Sequence, residues 1–75
     1  MNNNNSVKFD YRKLRGLIRE KYGTESEFSQ AVGIGRTTLS QKLNNASDFS
    51  RSEIVKICET LEIETAEIPA YFFAV

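Results

Sequence analysis

Apolar and polar residues along this chain recur with the period of a helix, and no segment shows the alternation of a half-buried strand. Tyr11, Leu14, Leu17, Ile18 and Tyr22 predict a first helix over residues 11–22. Asp10 is placed to cap it, because a carboxylate accepts from the free amides of a first turn. Phe9 and Leu14 form a hydrophobic staple, and Gly23 supplies a left-handed stop. A second helix follows, capped by Thr24 with Glu27 completing a capping box. Phe28, Ala31 and Val32 are its inward positions, and Gly33 ends it after about two turns.

A third helix is predicted from Gly35 or Arg36 to Leu43 or Asn44. Its apolar seam is narrow, Leu39 and Leu43 one turn apart, with Ile34 anchoring its start. The fourth helix has the clearest beginning: Ser50 and Glu53 make a capping box, Phe49 and Ile54 a staple. Its buried face is predicted to be Ile54, Val55, Ile57, Cys58 and Leu61. Beyond it, Thr65, Glu67 and Ile68 suggest one short turn, stopped or redirected by Pro69. Of Tyr71, Phe72 and Phe73, at least one ring is expected to close the core, and a dimer seam is the alternative for the others. The expectation is an all-α, compact bundle of four to five short helices containing a helix-turn-helix.

Composition narrows the function. Seventy-five residues make one domain with a modest core. The polar opening "MNNNNS" cannot bury anything, so residues 1–7 are expected to be a disordered lead-in and residues 8–75 a single helix-turn-helix domain. One cysteine, Cys58, excludes an intrachain disulfide, and with no histidine and no zinc spacing the chain reads as a reduced, cytoplasmic protein. Cys58 sits in an apolar-periodic segment and is expected to pack as a small hydrophobe. Neither an enzyme, a metal, a cofactor, a small-molecule ligand nor a membrane span is expected.

Net charge is zero, but it is unevenly distributed. Residues 1–45 hold eight Lys and Arg against four acids, and residues 46–75 hold two against six. Such a dipolar domain can turn its basic half to a polyanion.

The second and third helices, joined at Gly33, form a helix-turn-helix pattern. The Leu39 seam occupies one side of the third helix, so Arg36, Thr37, Ser40, Gln41 and Asn44 point outward. A helix fits the DNA major groove, where Arg pairs with guanine, Gln with adenine, and Thr meets phosphate or a thymine methyl. A merely solvated helix more often carries Glu and Lys than two adjacent threonines, which lower helix propensity.

The stretch "SEFSQAVGIGRTTLSQKLNN" resembles the helix-turn-helix of the phage lambda repressor and Cro type, the xenobiotic-response-element family. The resemblance spans about residues 10–65 and is strongest at Gly33, Ile34, Gly35, Leu39, Leu43 and Asn44. The chain's brevity and its ending in "YFF" resemble small prophage-encoded regulators of Gram-positive bacteria. The resemblance implies a sequence-specific, operator-binding transcriptional regulator acting on double-stranded DNA as a weak homodimer in the bacterial cytoplasm. Carried over by position, base reading falls on Arg36, Thr37 and Gln41, with Thr38 and Ser40 beside them, and phosphate binding on Ser26, Lys42, Asn44 and Asn45. One departure bears on function: a position that is often Gln in the family is Glu25 here, an anion that repels phosphate. The alternative is a protein that keeps the fold and binds a repressor or host protein instead of DNA.

Overall fold

In the computed structural model, which describes residues 8–75, the helices are α1 (Arg12–Tyr22), α2 (Glu25–Val32), α3 (Arg36–Leu43), α4 (Arg51–Leu61) and, after a 3-10 turn at Thr65–Glu67, α5 (Ile68–Phe72). No strand occurs among the described residues. The expected lead-in, residues 1–7, lies outside them.

Every helix contributes to the core. Its fully buried side chains are Leu14 and Ile18 of α1, Phe28 of α2, Leu39 of α3, Ile57 and Leu61 of α4, and Phe72 of α5. Helices this short are marginal alone, and burial against one another holds them.

The helix ends follow local chemistry. Thr24 accepts from the Glu27 amide, the half of the predicted box that is present. Ser50 and Glu53 close a full capping box. Gly33 adopts φ +76°, which only glycine takes without strain, and this sharp turn sets α3 across α2. A Cβ built at Gly33 meets no atom within 4 Å, so Gly33→Ala tests backbone strain alone. A loss of about 1–2 kcal/mol is expected, read from the denaturant midpoint.

Several expectations need correction. Tyr11, not Asp10, holds the α1 cap position. Asp10 still accepts from the Arg12 amide and grips the Arg12 guanidinium, which lowers its carboxyl pKa to about 2. Ala31 is exposed, and Ser29 is buried in the α2–α3 contact, its hydroxyl returned to the Ser26 carbonyl at 2.7 Å. Val55 is 49% exposed. Pro69 starts α5 instead of ending a turn, since a first-turn proline gives up no helical hydrogen bond. Cys58 is buried, and burial pushes its thiol pKa up, in keeping with a packing role.

Candidate functional site

The second helix of the helix-turn-helix unit carries the polar face. Leu39 and Leu43 are buried, and α2 packs against α3. That contact turns Arg36, Thr37, Thr38 and Gln41 outward to solvent and leaves Ser40 half-buried. A shallow cleft lined by Glu25, Arg36, Thr37, Ser40 and Gln41 runs along this face. The three residues assigned to base reading, Arg36, Thr37 and Gln41, therefore share one surface.

A second cleft shares Glu25 and Arg36 with the first and extends it over the start of α2. Arg15, Arg19 and Thr24 also line it. Three guanidinium-bearing residues thus line a cleft that holds a single carboxylate, Glu25, which Arg15 pairs. Arg19 is exposed and lies outside the predicted site residues. Its signal was its place four residues after Arg15, on the same side of α1.

Arg15, half-buried, ties three elements together. It pairs with Glu25 at 2.5 Å, and donates to the Leu43 carbonyl at 3.1 Å and to the Asn44 side-chain oxygen at 2.8 Å. One guanidinium therefore braces the beginning of α2 against the end of α3. It also neutralises Glu25, so the anion that appeared to repel phosphate faces outward already paired. At about a third exposure on each side, this pair contributes modestly to stability and mainly fixes geometry.

The four residues assigned to phosphate binding fare differently. Ser26 remains partly exposed near the start of α2. Lys42 is 14% exposed and sits 2.6 Å from Glu53, whose carboxylate also accepts the Ser50 amide. Burial raises the Glu53 carboxyl, but the Lys42 and Ser50 hydrogen bonds outweigh it and hold the pKa below the usual range. Asn44 accepts from Arg15. Asn45, at φ +63°, receives the Phe9 amide and donates to the Phe9 carbonyl, each at 2.9 Å. Its amide is thereby a clamp on the segment before α1. No group of His, Cys, Asp and Glu able to hold a metal occurs among the described residues.

Comparison with known proteins adds to this geometry. The solution structure of the modulator of repression of the temperate bacteriophage TP901-1 from Lactococcus lactis is similar, with a TM-score of 0.78 and 40% identity, over 92% of this chain and 93% of that one. Comparison with curated proteins gave no match. A family model described as "protein of unknown function (DUF739)" matches residues 7–75. The helical bundle, its matched span and its likeness to the phage modulator agree, and the chain belongs to the DUF739 family.

Proposed function

We propose that the protein modulates transcriptional repression in a temperate phage by binding a repressor protein through the polar face of α3 and the adjoining arginine cleft. The observation that carries this reading is that two of the four predicted phosphate contacts, Lys42 and Asn45, are engaged inside the fold. Lys42 is held by Glu53 and Asn45 by Phe9, while exposed Asn44 lends only its side-chain oxygen to Arg15. A zero-charge chain whose one cationic phosphate candidate, Lys42, is paired with Glu53 has little counterion-release energy to draw on. A partner with carboxylates opposite Arg19 and Arg36 needs no regularly spaced phosphates. The name of the TP901-1 neighbour, a modulator of repression, supports the same reading. Under it the protein is no enzyme, uses no cofactor and works in the bacterial cytoplasm.

A second reading keeps operator DNA as the partner. It is favoured by the exposure of Arg36, Thr37 and Gln41 together, with Thr38 and Ser40 beside them, on the second helix of a helix-turn-helix. This is the lambda repressor and Cro mode of binding, with the chain acting as a weak homodimer. Ser26, Arg19 and the amides at the start of α2 would then face phosphate.

The test is fluorescence anisotropy with the cognate phage repressor bound to a labelled operator duplex. Added protein releases the repressor under the first reading, and the duplex alone is not bound. Under the second, the protein binds the duplex itself, with affinity falling steeply as salt rises. Arg36→Ala is expected to weaken repressor binding by about 1.5–3 kcal/mol, through loss of charge-assisted hydrogen bonds. On DNA the same change instead relaxes preference at one base position.

A further inference from the structure

Away from the α2–α3 face, five aromatic rings form an open arc. Phe73 meets Phe9 edge-to-face at 5.8 Å, Phe9 leans on Tyr11 at 6.2 Å, Tyr11 on Phe49 at 5.5 Å, and Phe49 on Phe72 at 5.5 Å. The arc walls a groove of about 290 Å³, near the lower size of ligand clefts and suited to a side chain rather than a helix. Asp48, exposed in the α3–α4 loop, is the charged residue on its rim.

Two features separate this groove from an ordinary core seam. Phe73 is 51% exposed, and Phe9 and Phe49 are only partly buried, so the walls stay open to solvent. Tyr11 is buried as a residue and lines the groove. Burial and the nearby Asp48 carboxylate both raise the Tyr11 pKa, which puts its hydroxyl and Asp48 in one electrostatic neighbourhood. Asp48 has no ion-pair partner among the described residues.

Aromatic faces carry negative potential, and a carboxylate beside them completes a seat for a cation. The fold already holds one cation–π contact elsewhere, with the Lys13 ammonium 4.8 Å from the Tyr71 ring centre. We infer that the groove seats a Lys or Arg side chain of a partner polypeptide, its apolar stem along the phenyl rings and its charge at Asp48. None of the lining residues belongs to α2 or α3, so the inference stands apart from the proposed function.

The experiment is an amide NMR titration of the labelled full-length protein with a capped pentapeptide, Gly-Leu-Lys-Leu-Gly. Comparison peptides carry norleucine or glutamate in place of lysine. Saturable shifts at Asp48, Phe49 and Phe73 are expected with lysine and not with glutamate. Asp48→Asn, at an exposed site, keeps the fold and is expected to weaken binding about tenfold. Equal binding of the norleucine peptide overturns the inference, because the groove would then recognise apolar surface alone. Absence of shifts at these amides overturns it as well. So does a shift of the same amides with protein concentration alone, which would make a second copy of the chain the occupant.

Discussion

Phe72→Ala should destabilise the protein by about 3–5 kcal/mol. Phe72 is 1% exposed and is the α5 side chain that reaches the core. Its ring stands perpendicular to Phe49 at 5.5 Å, which joins the end of the chain to the approach to α4. Two backbone bonds fix this end: the Phe73 amide to the Pro69 carbonyl at 2.9 Å, and the Asp10 amide to the Ala74 carbonyl at 2.7 Å. The second spans nearly the whole described chain, so losing the ring loosens the start of α1 as well. Small domains fold with roughly 5–10 kcal/mol to spare, and this loss removes a large part of it. Phe73→Ala, at a half-exposed neighbour, is the control and should cost less than about 1 kcal/mol. Urea melts of the two variants decide it; similar midpoints would mean that the tail does not close the core.

Leu39→Ala should cost about 2–5 kcal/mol, and its effect should centre on α3. Leu39 is wholly buried, and α3 has only Leu43 beside it as a second buried anchor. No other residue of α3 can take over, because the rest of its surface is polar. The Arg15 bonds to Leu43 and Asn44 hold the far end of α3 but bury little apolar surface. The expected result is a lower melting temperature together with faster amide exchange through residues 36–43. An unchanged melting temperature would mean that Leu39 does not pin the helix.

The residues show why some of this was legible in the sequence and some was not. Gly33, Leu39 and the Ser50–Glu53 box are local signals, each fixed by chemistry within one turn, and they placed α2, α3 and α4. The outward set of Arg36, Thr37 and Gln41 followed from the same periodicity. Ala31 and Val55 were misplaced because both are apolar yet fall on the solvent side of short helices, where the sequence offers no countersignal. Pro69 reads as a stop or a redirection because the helix whose first turn it occupies is only five residues long. Arg15, Lys42 and Asn45 depend on partners 10, 11 and 36 positions away in the chain, and no local pattern announces such contacts. They are the residues that change the functional reading, since two of the expected phosphate ligands, Lys42 and Asn45, are drawn into the fold.

That reading makes the α3 face and its arginine cleft a surface for a protein. The most direct test is an amide NMR titration of the labelled protein, first with the DNA-binding domain of the cognate repressor and then with operator duplex at low salt. Shifts at Arg19, Glu25 and residues 36–41 with the repressor domain, and little change with duplex, are the expected result. Strong, salt-sensitive shifts at the same residues with duplex, and none with the repressor domain, would contradict it and establish operator DNA as the partner.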